Sequence, residues 1–206
     1  MDIDELFNHY GTDKECYAAM YHALFKHIRH GKLRLLEVGI GTMIPEAPSS
    51  MVGSARDGYR PGGSLRAWRD YFPNADIHGI DVQPDTQFTD ERRIYTHLCD
   101  STDGEAVSRL MHGLGGVSFD IIIDDGAHLD MQQLATLTNL FPYVADGGYY
   151  IIEDIEPGGE LLTTLFQKLR AVCGDSLVFI TEEKNYLVIS RRLVARPSGH
   201  LPLRSS

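Results

Sequence analysis

Two short runs in this chain carry chemistry in their residue types. Phe119-Asp120-Ile121-Ile122-Ile123-Asp124-Asp125-Gly126-Ala127-His128 and Ile151-Ile152-Glu153-Asp154 each end an apolar stretch on carboxylates. If the two stretches are neighbouring parallel strands, about 4.8 Å apart, then Asp125, Glu153 and Asp154 emerge at one edge and can converge. Clustered carboxylates repel one another unless a cation lies between them. A few oxygen ligands with room left for water or substrate suit magnesium, with manganese or calcium as substitutes. His128, three residues beyond Asp125, is placed to take a proton from something bound to that ion. The plainer alternative is that the paired acids cap the next helix and that His128 is a hydrogen-bonded structural histidine.

A second set of residues follows the earlier strands. Glu37-Val38-Gly39-Ile40-Gly41 is a glycine turn, at which backbone can approach a ligand closely. A dinucleotide fingerprint would want a third glycine three residues after Gly41, but that position is Ile44, which lowers the nicotinamide reading. Asp81 ends Ile77-His78-Gly79-Ile80-Asp81, where an acid can accept from both hydroxyls of a ribose. Asp100 and Ser101 follow the third strand, within reach of an adenine edge. Each is open to a structural reading, Asp81 as a turn former and Asp100 as the start of a helix. Together, beside a glycine turn, they point to an adenosine-bearing cofactor.

The elements that must hold these residues alternate along the chain. Strand-like stretches at Leu33 to Val38, Asp76 to Ile80, Ile94 to Leu98, Phe119 to Ile123 and Gly148 to Ile152 are interleaved with helices that include Gly104 to Met111 and Met131 to Leu140. That alternation predicts an α/β fold, a doubly wound and mostly parallel sheet with helices on both faces. Residues 3 to 30 carry apolar groups at helical spacing. Ser64 is expected to cap a helix running through Leu65, Trp68 and Tyr71, closed by Pro73-Asn74. A further helix is expected over Glu160 to Val172, then an antiparallel hairpin from Leu177 to Ile180 and Tyr186 to Ser190. Residues 1–193 read as one domain with an N-terminal helical segment (1–30), and 194–206 as a loose tail. The long Met43 to Gly63 segment and the Glu156-Pro157-Gly158-Gly159 turn read as candidate lids.

Bulk properties narrow the partners. The 206 residues are 43% hydrophobic, enough for one core. A net charge of -10 argues against nucleic acid or an anionic membrane and favours a small molecule or another protein, a homo-oligomer included. Cys16, Cys99 and Cys173, odd in number and widely spaced, suggest reduced thiols. The acidic start and the lack of an apolar run of about 18 residues suggest a cytoplasmic protein.

Taken in order, Tyr10-Gly11-Thr12-Asp13-Lys14, Leu36-Glu37-Val38-Gly39-Ile40-Gly41, Gly62-Gly63-Ser64-Leu65 with Trp68 and Tyr71-Phe72-Pro73, Gly79-Ile80-Asp81, Asp124-Asp125-Gly126-Ala127-His128, Phe141-Pro142, Gly147-Gly148 and Glu153-Asp154 resemble one family. These are the metal-dependent O-methyltransferases that modify sugars on macrolides, of the mycinamicin and tylosin pathway type. The resemblance implies a class I methyltransferase that uses S-adenosylmethionine and Mg2+. It implies that Asp125, Glu153 and Asp154 hold the metal and that His128 is the general base. Glu37, Gly39, Asp81 and Asp100 would line the cofactor pocket, with Gly41, Ser64, Ser101 and Asp124 in the same set. The acceptor would be a hydroxyl on a glycosylated or aromatic natural product. The family's better-known members carry an additional N-terminal domain.

Tyr10 and Lys14 also have the Tyr-x-x-x-Lys spacing of short-chain dehydrogenases, but they precede the first strand, so that match is discounted. The rival readings are a catechol-type O-methyltransferase acting on a phenol and a cofactor-binding scaffold without turnover. The four intact residues Asp125, His128, Glu153 and Asp154 argue against the scaffold.

Overall fold

The computed structural model describes residues 1–47, 49–56, 58–155, 168, 171–174, 176–181 and 185–191. Helix α1 (Ile3–Tyr10) is opened by Asp2, whose carboxylate accepts from Glu5 N while Glu5 reaches back to Asp2 N. A short 3-10 turn (Lys14–Tyr17) leads into α2 (Ala18–Phe25). The rest alternates as β1 (Arg34–Val38), α3 (Gly63–Tyr71), β2 (Asp76–Asp81), β3 (Ile94–Leu98), α4 (Gly104–Gly113), β4 (Phe119–Asp124), α5 (Asp130–Leu140), β5 (Val144–Ile152), β6 (Leu177–Thr181) and β7 (Tyr186–Ser190). The strands form one sheet in the order β3-β2-β1-β4-β5-β7-β6.

The sheet is parallel from β3 through β5, and β7 pairs antiparallel with both β5 and β6. This is the doubly wound, mostly parallel sheet expected, with the C-terminal hairpin inserting β7 against β5. Strand order reverses between β1 and β4, which opens a crevice at their carboxyl ends. Both faces are covered, so the central strands are apolar on both sides: Leu35 and Ile121 pack with one core cluster, Leu36 and Ile122 with the other.

The N-terminal helices belong to the first cluster. Phe7, Tyr21, Phe25 and Phe72 surround Trp68, with Phe7 edge-on to it at 5.1 Å and 88° and Tyr21 at 4.8 Å and 80°. The expectation for Ser64 is corrected here. α3 is capped by Gly62 in the left-handed region (φ 82°), with no side-chain cap bond, and Ser64 is buried one residue inside the helix. The helix expected over Glu160 to Val172 lies largely outside the described residues, as do the Glu156 to Gly159 turn and the tail. Among the described residues no helix is long and apolar enough to cross a membrane.

Candidate functional site

Backbone hydrogen bonds continue past the strand ends and fix the crevice. Gly39 N donates to Ile80 O, Asp125 N to Val38 O and Glu153 N to Asp124 O, each at 2.9 to 3.0 Å. Gly39 has φ 80°, and a Cβ there would fall on the Asp125 carbonyl, so the two loops touch backbone to backbone.

A cavity of about 250 Å³ opens at these ends, lined in part by Gly39, Asp81, Asp100, Ser101 and Asp124. Asp81 accepts from Ile40 N at 2.9 Å and Gln83 N at 2.8 Å, so it both shapes its turn and borders the cavity. Burial pushes its carboxyl up. Asp100 accepts from Thr102 N and the Thr102 hydroxyl. Asp124 is buried, which pushes it up to about 7, and the Tyr150 hydroxyl donates to it at 3.3 Å.

Glu37, Gly41 and Ser64 do not border this cavity. Tyr59, from the long 43–62 connection, covers Gly41 and donates to its carbonyl at 3.1 Å. That connection is tied down elsewhere too, since Asp85 accepts from the Thr42 hydroxyl and Met43 N.

Beside the cavity, Asp125, His128 and Asp154 each offer a ligand atom, all within 4.8 Å of one another. His128 Nε2 lies 3.1 Å from Asp125 Oδ1 and 3.7 Å from Asp154 Oδ2. The hydrogen bond to Asp125, with the charges of Asp125 and Asp154, outweighs burial and pushes His128 up to about 9. His128 and Asp154 have φ of 54° and 50°, a region that costs a residue with a Cβ free energy and that marks functional loops.

Glu153 takes a different position. It is fully buried and accepts from the Lys14 ammonium and the Tyr21 hydroxyl. Lys14 itself is only 3% exposed and also contacts Asp125 Oδ2 at 2.5 Å and Glu37 Oε1 at 3.2 Å. Burial disfavours the Lys14 charge, but the carboxylates of Asp125, Glu153 and Glu37 outweigh it and keep the ammonium protonated. Burial likewise pushes Asp125 up, yet Lys14 and His128 hold it below the usual carboxylate range. Glu37 and Glu153 are driven by burial up to about 7 and about 8, because one ammonium cannot neutralise three buried acids.

Several of these participants escaped the sequence reading. Lys14, Tyr21 and Tyr17, whose hydroxyl donates to Asp154 Oδ1 at 2.5 Å, come from the N-terminal segment. The Tyr10 to Lys14 run marks Lys14 as part of the family likeness, whereas Tyr17 and Tyr21 lie beyond it. The Tyr10 hydroxyl donates to Asp70 instead, away from Lys14, so the two make no dehydrogenase pair. Gln133 and Thr136 of α5 also border the cavity, and nothing in their spacing marked them.

No protein-family model matches the chain. It is 35% identical over 162 residues to mycinamicin VI 2''-O-methyltransferase of Micromonospora griseorubida, covering 75% of this chain and 36% of that one. It is 33% identical, with the same coverage, to demethylmacrocin O-methyltransferase of Streptomyces fradiae. Among solved structures, the MycE methyltransferase of the mycinamycin biosynthetic pathway, in complex with Mg and SAH, superposes with a TM-score of 0.74 at 27% identity, covering 98% of this chain and 57% of that one. Over about three quarters of its length this chain is similar to curated macrolide sugar O-methyltransferases, 75% in both comparisons. The matched stretch amounts to about a third of the length of these curated relatives, 36% in both. The seven-stranded sheet is that of the class I methyltransferases. The sugar N-methyltransferase KedS8 from Streptoalloteichus sp., at 14% identity and a TM-score of 0.57, shares the fold alone.

Proposed function

We propose that the chain transfers the methyl group of S-adenosylmethionine to a hydroxyl of a glycosylated natural product, in a magnesium-dependent reaction with His128 as the base. The observation that carries this reading is the position of the cavity directly beside the Asp125, His128 and Asp154 group, with Asp124 and Gly126 bordering the first and Asp125 belonging to the second. The relatives supply the cofactor, since MycE was solved with Mg and SAH.

The residues fit both groups. Asp81 and Asp100 offer carboxylates to a nucleoside, and Gly39 and Gly126 leave backbone bare at the cavity wall. Carboxylate oxygens are hard donors that suit magnesium. The buried cluster carries three acids against one ammonium, so it gains from added positive charge. Asp125 and Asp154 would hold the ion, and Glu153 would reach it by exchanging its bond to Lys14. When bound, the ion would neutralise the carboxylates that keep His128 protonated and would polarise an acceptor hydroxyl.

The chain's own residues do the rest. His128, 36% exposed, is open to a substrate and takes the hydroxyl proton at the ring nitrogen opposite the one engaged with Asp125. Tyr21 holds Glu153 and Tyr17 holds Asp154, so the acids keep their places before substrate arrives. The remaining task is in-line alignment of acceptor oxygen and methyl carbon.

The decisive experiment is calorimetric titration of S-adenosylhomocysteine and of magnesium into the protein and its Asp125→Ala variant, followed by methyl transfer to a panel of glycosides and catechols. Nucleoside binding with metal uptake lost in the variant supports the reading. Absence of nucleoside binding refutes it, and turnover on catechols but not glycosides corrects the acceptor.

A further inference from the structure

We propose that Lys14 is a positioning residue for the divalent cation, a tethered counter-ion that neutralises Asp125 and Glu153 until the metal arrives and then withdraws onto Glu37. This rests on the acids binding magnesium. Among the described residues the ligand atoms that converge come from Asp125, His128 and Asp154, without Glu153. Both Glu153 oxygens are already engaged, Oε1 by the Tyr21 hydroxyl and Oε2 by the Lys14 ammonium. Asp125 is divided between two partners, with Oδ1 facing His128 at 3.1 Å and Oδ2 facing Lys14 at 2.5 Å. The ammonium therefore stands against the same carboxylates that an added cation would use. Two cations at that spacing repel, so one must give way.

The bond that can give is the one to Lys14. Tyr21 is fully buried, stacked on Phe25 and edge-on to Trp68 at 4.8 Å, so the core holds its hydroxyl in place. Lys14 instead carries its ammonium on a flexible stem. A place for it to go is already built. Glu37 is fully buried and neither of its carboxylate oxygens has a hydrogen-bond partner, although Oε1 lies 3.2 Å from the ammonium. A buried acceptor left unmade costs free energy, so the ammonium gains at Glu37 what it gives up at Glu153. The exchange leaves no acid of the cluster without a cation. Glu37 belongs neither to the converging ligand atoms nor to the cavity wall, yet it helps set the affinity for the metal by receiving the lysine.

The test is calorimetric titration of magnesium alone into the wild type, Lys14→Met and Glu37→Gln, with metal-free thermal unfolding to confirm that each folds. A crystal structure of the wild type with magnesium accompanies it. Lys14→Met should bind the ion about tenfold more tightly, because nothing competes for Glu153. Glu37→Gln should bind it about tenfold more weakly, because the displaced ammonium loses its acceptor. In the loaded crystal Lys14 should contact Glu37 and no longer Glu153. Unchanged or weaker binding by Lys14→Met, unchanged or tighter binding by Glu37→Gln, or a loaded structure in which Lys14 still holds Glu153 overturns the exchange and leaves the metal reading standing. If Lys14→Met does not fold, Glu37→Gln and the loaded wild type decide. Absence of magnesium uptake by both the wild type and Lys14→Met overturns the metal reading and the exchange with it.

Discussion

Replacing Lys14 with methionine removes the one ammonium that faces Glu37, Asp125 and Glu153 while keeping most of the side chain's apolar bulk. Breaking a buried ion pair by removing one partner costs about 3 to 5 kcal/mol. The loss has a ceiling, because Asp125 can escape by taking a proton. From its ordinary value of 3.8, that costs about 5 kcal/mol at pH 7.5 and about 2 kcal/mol at pH 5.5. The sign follows from the direction of the shift. In the wild type Lys14 helps hold Asp125 below its unfolded value, so that stability is present above pH 3.8 and is lost only as pH falls through the folded value. In Lys14→Met burial is opposed at Asp125 by His128 alone and at Glu37 by no lysine, so both carboxyls titrate higher than in the wild type and the variant weakens relative to it as pH climbs. The difference between the two proteins therefore grows from pH 5.5 to 7.5. For a chain of this size the gap corresponds to roughly 6 to 20 °C in Tm at the higher pH. Thermal unfolding with a chelator present, repeated with magnesium, reads all of this. Magnesium should recover more in the variant than in the wild type, since it supplies the missing charge. A loss that does not change between the two pH values would mean that packing, not charge, is what Lys14 contributes, and the account of the cluster would be wrong.

Other outcomes follow from the same structure. His128→Ala should lower turnover by about 10² to 10⁴ while leaving S-adenosylhomocysteine affinity within a factor of a few. A steady-state assay beside calorimetry separates the two. His78, stacked on Tyr95 and 3.2 Å from His97, is lowered by burial to about 4, so its contribution is complete above pH 6.5 and is lost between 6.5 and 4 as the unfolded chain takes up the proton. The wild type should lose roughly 2 to 3 kcal/mol more than His78→Gln across that window in urea unfolding. Gly39→Ala puts a Cβ onto the Asp125 carbonyl at positive φ and should cost about 2 to 4 kcal/mol, together with nucleoside binding. Wild-type stability with normal affinity in that variant would contradict the backbone contact described.

The sheet was legible because its strands are short apolar runs ending at glycine or acid, and β2, β3, β4 and β7 fall within a residue or two of where the pattern places them. The capping of α3 was not. Ser64 follows two glycines, and Gly62 takes the left-handed conformation that begins the helix two residues earlier than a serine cap would. The acids at the end of β5 were half legible. Consecutive residues of a strand point to opposite faces, so Glu153 and Asp154 could not both turn to one ion from a regular strand. Glu153 goes inward to Lys14, and Asp154 reaches Asp125 only through a left-handed backbone. Lys14 was hidden for a different reason. A lysine is rarely buried unless it is paired, and nothing near it in sequence announced partners more than a hundred residues away.

That separation has a kinetic consequence. The bonds from Lys14 to Asp125 and Glu153, from Tyr17 to Asp154 and from Tyr21 to Glu153 span 111, 139, 137 and 132 residues. Ile123 and Ile151, which pair β4 to β5, are 28 residues apart, so the strands that carry these acids can pair before the amino-terminal helices clamp them. During that interval the carboxylates lie at the sheet edge with their organic counter-ion still outside. Such an order would make an inorganic cation the first available partner for these acids, and the lysine a late arrival that must share them.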